Sequence, residues 1–370
     1  MRQVVKLALI STAATMVLAA CGDAPEEDGG SEGSGSGSGS EESSGNEDFR
    51  ACMVSDAGGF DDQSFNQSGR QGMESAESEL GIKTTLVESQ SDADYATNVN
   101  TLVSQGCNLT IGVGFLLEDA IQTAAQENPD TNFALVDSAF QNADFEPVEL
   151  DNAKPILFNT AEASFLAGYL AAGMTETGTV ATFGGLQIPS VAIFMDGYVD
   201  GVDQYNEDND ESVKVLGWDK EKQSGSFSGD FDNQSQGQTL TEQFIAQDAD
   251  IIMPVAGPVG LGAVAAAQSA EGTKIIWVDS DGYETTDAGD LMLTSVLKQI
   301  GPAVDDTITA TVQSGFDNKP YVGTLANDGV GLAPYHDFEG EVPEELNTQI
   351  DDYSQQISEG ELTIESPNAP

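Results

Sequence analysis

Basic residues are scarce: 12 lysines and arginines stand against 63 aspartates and glutamates in 370 residues, a formal net charge of −51. A surface of that sign repels phosphate backbones and argues against nucleic acid as a partner. It reports solubility or a salty habitat and not a fold. Histidine is scarcer still. His336 stands alone, so Ser-His-Asp and Cys-His arrangements lack a convincing base. No HExxH, no P-loop lysine and no G-x-S-x-G elbow occurs. "GPVGLG", Gly257 to Gly262, has the wrong glycine spacing for a dinucleotide turn. The acidic clusters "DNDE" and "DSDG" complete no calcium loop and read as solvated surface or turns. No catalytic residue, metal or cofactor is therefore expected, and an enzyme is the minority reading.

Long apolar runs are missing too. Beyond residue 20 none approaches the length of a membrane-spanning helix. The first twenty residues carry Arg2 and Lys6, no acid, and a short small-residue apolar run, which reads as a secretory signal peptide over 1–20. It closes on "LAAC", Leu18 to Cys21, which resembles a bacterial lipobox. Cys21 would then be lipidated and become the first residue of the mature chain; ordinary signal cleavage beside a stray cysteine is the alternative. Residues 22–48 are mostly glycine, serine and acid, with no aromatic. They cannot bury enough apolar surface to offset chain entropy, so 21–48 is expected to be a lipidated, disordered tether. Lipid, tether and body describe a protein held on the extracytoplasmic face of the cell membrane. Two cysteines remain, Cys52 and Cys107, ahead of the apolar runs "MV" and "LTIGV". Either a disulfide between neighbouring strands or two buried thiols fits.

The body, residues 49–370, exceeds the size at which a single core usually splits. Apolar strand-like runs near 51–55, 83–87, 109–113, 133–136, 156–159, 179–183, 213–218, 251–255, 275–278 and 291–296 alternate with helical patterns such as "QSGRQGMESAESEL" and "SFLAGYLAAGM". That alternation predicts two parallel sheets covered by helices, with ligands at the carboxyl ends of the strands. The segments just after those runs fit that expectation: "DAGGFDDQSFN", "GFLLED", "DSAF", "SGSFSGDFD", "AGPVGLG" and "DSDG". Acids, glycines and phenylalanines recur, a composition suited to gripping polar groups around a flat ring.

Eight segments in one order, among them "CMVSDAGGFDDQSFNQSGRQG", "GGLQIPSVAIFMDGYVDG", "VAGPVGLG" and "TSVLKQI", resemble the basic membrane lipoproteins, whose well-understood members are purine nucleoside receptors of ABC importers. The resemblance implies an α/β, type I periplasmic-binding-protein fold: two doubly wound parallel-sheet lobes joined by a three-crossover hinge. It divides the body into an N-terminal lobe (49–158 with about 285–325) and a C-terminal lobe (159–284 with about 326–370). It also implies a purine nucleoside ligand and an ABC permease as partners, with a monomer as the default.

Carried over by segment, Phe65 and Phe227 would sandwich the purine, with Phe194 adding to the wall; Phe231, in the same acidic segment, competes with Phe227. Asn66 and Asp137 would read the base, because an amide offers donor and acceptor while a carboxylate accepts from ring or amino N–H groups. Asp56, Asp279 and Lys298 would hold the ribose, Lys298 paired with Asp279, since a diol can aim both donors at carboxylate oxygens. Gly257 would let backbone approach the ligand. Asp61 and Asp62 read as helix caps. Open alternatives are the same fold with a sugar or signalling molecule, a nucleoside-hydrolysing surface enzyme, and a surface antigen with a vestigial cleft.

Overall fold

A computed structural model describes residues 46–142 and 146–370. The expected signal peptide, Cys21 and the tether up to residue 45 lie outside the described residues. In chain order the strands are β1 (Arg50–Ser55), β2 (Lys83–Val87), β3 (Leu109–Val113), β4 (Asn132–Val136), β5 (Ala153–Phe158), β6 (Thr179–Gly184), β7 (Lys214–Leu216), β8 (Trp218–Asp219), β9 (Ser224–Gly225), β10 (Ile251–Val255), β11 (Lys274–Asp279), β12 (Met292–Lys298), β13 (Tyr321–Gly323) and β14 (Val330–Leu332). The helices are α1 (Phe65–Leu80), α2 (Asp92–Ser104), α3 (Glu118–Glu127), α4 (Thr160–Met174), α5 (Pro189–Asn209), α6 (Gln234–Ile245), α7 (Gly260–Gln268), α8 (Gly282–Thr285), α9 (Ile300–Ser314) and α10 (Glu344–Ser358).

Two six-stranded sheets result, ordered β13-β5-β4-β3-β1-β2 and β14-β12-β11-β10-β6-β7. Every pairing within them is parallel except β12 with β14. Parallel strands are covered on both faces and so read as unbroken apolar runs. "ACMVS" of β1, "LTIGV" of β3 and "IIMPV" of β10 are buried at every position. Each sheet reverses its strand order between its first and third strands, at β1/β3 and at β6/β10, and such reversals open a crevice at the strands' carboxyl ends. Cys52 on β1 and Cys107, just ahead of β3, are joined by a disulfide with a Cα–Cα distance of 5.9 Å.

α4 is apolar all round and buried along most of its length, as a helix sandwiched in protein must be. It lies against α5 so closely that a Cβ on Gly168 would stand 2.1 Å from the Tyr198 carbonyl oxygen. Among the described residues no helix is long and apolar enough to cross a membrane. The expected return of the chain to the first lobe at about residue 285 is corrected by the sheet pairing: β12 continues the second sheet to Lys298 because it pairs in parallel with β11. Only then does the chain pass to α9, which packs on α1, and to β13, which extends the first sheet beside β5.

Candidate functional site

The strand ends of both sheets converge on one cavity holding about 510 Å³ of space not filled by atoms, part of it opening to solvent. Its lining includes Asp56, Phe65, Asn66, Asp137, Phe194, Gly257, Asp279 and Lys298, so eight of the nine expected ligand contacts meet at one place. Phe227 does not join them. Its backbone bridges to Gly184 and its ring stands edge-on to Trp218, centroids 5.9 Å apart. Phe231 lines the cavity instead, its ring laid over Gly185. The acidic loop after β9 carries the chain far enough that the later phenylalanine reaches the crevice while the earlier one packs behind β6.

Asp56 follows β1 and is held by a donor from Asn66, Nδ2 to Oδ1 at 3.0 Å. The fit depends on Gly114, at the end of β3 with φ 121°: a Cβ there would fall 2.0 Å from Asp56 Oδ2. Burial pushes the Asp56 carboxyl well above the usual carboxylate range, against the lowering by Asn66, and nearby Asp62 and Asp137 push it the same way. Asn66 also sends Nδ2 to Asp62 Oδ2 at 3.3 Å. With its amide nitrogen committed to two carboxylates, Asn66 keeps an acceptor in reserve: the residue lines the cavity, is 2% exposed, and its Oδ1 has no partner.

Asp62 behaves as the cap the sequence suggests. Its carboxylate accepts from the backbone N–H groups of Ser64 (3.1 Å), Asn66 (2.7 Å) and Gln67 (3.0 Å) at the start of α1. Burial still raises it to about 6, outweighing those three donors.

Lys298, at the end of β12, has a side chain 3% exposed. It forms its close ion pair with Asp137 across the cleft, whereas Asp279 Oδ1 is 3.8 Å away. The expected pairing with Asp279 is thus secondary. The ammonium also sits 4.9 Å from the Phe65 ring centroid and 5.5 Å from those of Phe158 and Phe194, within cation–π range. Burial raises Asp137 to about 6 even with Lys298 beside it, and raises Asp279 against the same lysine.

Four further hydrogen bonds close the cleft, and nothing in the sequence marks them. Ser64 Oγ donates to Val278 O and to Asp279 Oδ2, both at 3.0 Å. Gln63 O accepts from Ser280 Oγ (2.9 Å) and from Trp277 Nε1 (3.3 Å). Chemically the site offers flat apolar faces, an excess of acceptors and one cation.

Residues 49–367 match the model of a family described as ABC transporter substrate-binding protein PnrA-like. The chain is 31% identical over 304 residues to the ABC transporter nucleoside-binding protein BmpA of Lactococcus lactis subsp. cremoris, covering 77% of this chain and 81% of that one. It is 30% identical over 325 residues to basic membrane protein A of Borreliella burgdorferi, covering 87% and 89%. A solute-binding protein of an ABC transporter system from Aeropyrum pernix K1 superposes with a TM-score of 0.77 at 23% identity, over 86% of this chain and 94% of the other.

Proposed function

This chain belongs to the family of PnrA-like ABC transporter substrate-binding proteins, and from that premise we propose that it captures purine nucleosides in the cleft between its lobes and presents them to an ABC permease. Members of such a family bind cargo and pass it on without chemistry. The reading adds that the chain is carried on the extracytoplasmic face of the membrane by a lipid at Cys21.

The observation that carries the ligand assignment is the unpartnered, buried Asn66 Oδ1 among Asp56, Asp137 and Asp279, beside Phe65, Phe194 and Phe231. Aromatic faces suit a planar base, whose stacking is worth about 1–3 kcal/mol per base in single-strand binders. The acceptors suit its N–H edge and the ribose hydroxyls, and charge-assisted bonds of that kind are the strong ones. A phosphate would meet four buried carboxyls and a single lysine, which favours the nucleoside over the nucleotide.

Calorimetry on the detergent-solubilised full chain against adenosine, guanosine, inosine, arabinose and an amino acid mixture tests the reading. One-to-one binding of a purine nucleoside is expected. Binding of the sugar or an amino acid with no response to any nucleoside sinks it. For the anchor, metabolic incorporation of a palmitate analogue that disappears in Cys21→Ser is the expected result, and labelling unchanged by that substitution overturns it.

A further inference from the structure

Beside the ligand cavity lies a second chamber with about 900 Å³ of space not filled by atoms, part of it opening to solvent. The two adjoin: Phe115, Asp137 and Ser190 line both. The far side is apolar. Phe140 and Phe158, 2% and 5% exposed, form the wall from the first lobe, and Ile193 of α5 faces them from the second. Pro367 to Ala369 close one end. That closure is fixed in place, because Asn368 Nδ2 donates to Asp196 Oδ2 (2.9 Å) and Gln223 Oε1 (2.7 Å), and Ser366 Oγ donates to Asp196 Oδ2 (2.6 Å).

No lysine or arginine is among the residues that line the chamber, and Asp137 stands at its junction with the ligand cavity. An anionic extension of the ligand therefore finds no counter-charge there. An uncharged apolar group finds phenylalanine and isoleucine side chains. The chamber also begins at the carboxylate assigned to the base edge, so whatever enters it has to be carried on that edge.

We propose that this chamber receives an apolar substituent on the exocyclic amino group of the base, so that the site takes N6-alkylated or N6-aralkylated purine nucleosides as well as the plain ones. An N6-substituted adenine keeps one N–H, enough to donate to Asp137, while its substituent continues between Phe140 and Ile193. The inference rests on the nucleoside reading with the base edge at Asp137.

The test is calorimetry of the full chain with adenosine and with N6-benzyladenosine, in the wild type and in Ala139→Trp. Ala139 is exposed, lines the chamber and does not line the ligand cavity, so the indole fills the side space and leaves the site itself intact. The wild type is expected to bind the two compounds within about threefold of each other, or the benzyl compound more tightly. Ala139→Trp is expected to weaken N6-benzyladenosine by at least about tenfold and adenosine by less than about threefold. Wild-type protein that binds adenosine but loses about a hundredfold or more with the benzyl compound overturns the proposal. So does an Ala139→Trp variant that treats both compounds alike. Binding of neither compound, with another ligand bound, removes the nucleoside reading itself and this inference with it.

Discussion

Asp137 and Asp279 stand at the carboxyl ends of β4 and β11 with φ of 71° and 70°, a left-handed backbone that few side chains adopt and that aspartate tolerates better than most. Both carboxylates point into the cleft and both lie near Lys298. Conformations of this kind cost about 1–3 kcal/mol and persist where the surroundings hold them, often at ligand clamps. The residue types at these strand ends were legible in the sequence; the turn that aims them was not. The phenylalanine choice shows the same limit. Phe231→Ala is expected to weaken nucleoside binding by about 1–3 kcal/mol, the worth of one stacking face. Phe227→Ala should cost folding stability first, through the Trp218 contact, and change affinity less; the two variants titrated side by side distinguish the roles.

The buried carboxyls also give a pH dependence with a definite sign. Asp62 and Asp137 are raised by burial from 3.8 to about 6. A carboxyl with a higher pKa folded than unfolded holds its proton better in the folded chain. Its stabilising contribution is full below about pH 4 and is lost as pH rises through about 6. Denaturant unfolding of the ligand-free protein is therefore expected to show falling stability between about pH 4 and 6. Asp62→Asn should flatten part of that slope; an unchanged slope in that variant counts against the assignment.

At the scale of elements, the sequence carries most of the molecule. Strands β1, β3, β6, β10 and β11 are short apolar runs buried on both faces, and periodicity of that kind needs no tertiary information to be seen. The three-residue β13 and β14 were not anticipated. Each is an edge strand with only one or two apolar residues, and only the presence of a neighbouring strand makes it part of a sheet. The cysteines allowed two readings because their spacing does not reveal that β1 and β3 are adjacent. Their bond closes a loop with a sequence separation of 55. Loop-closure entropy alone assigns such a cross-link about 4 kcal/mol. Cys52→Ala with Cys107→Ala is expected to lower the unfolding free energy by an amount of that order, read from the denaturant midpoint, with the ligand affinity of the folded protein little changed.

At the scale of the whole molecule, one of the contacts that close the cleft lies outside the expected ligand groups. Gln63 O receives Ser280 and Trp277 from the other lobe. A hydrogen bond of this kind contributes about 1 kcal/mol net, enough to shift a balance between open and closed forms about fivefold. Ser280→Ala is expected to open the ligand-free protein, raising its radius of gyration in small-angle scattering, and to weaken ligand binding by a similar small factor. A variant as compact as the parent and equal in affinity would show that this contact does not govern closure.

By itself the sequence determined the chemistry available. It is an acidic chain with one histidine, whose apolar strand runs end in acids, glycines and phenylalanines, that is, in hydrogen-bond acceptors and flat faces. Those are properties of composition and period, which the chain carries locally. Tertiary structure decided which of two phenylalanines reaches the crevice, that Lys298 chooses Asp137, that Gly114 makes room for Asp56, and where β12 ends and the chain crosses back to the first lobe. Each of these depends on distances between segments far apart along the chain, and such distances are set by how two sheets pack and not by any stretch of sequence read alone.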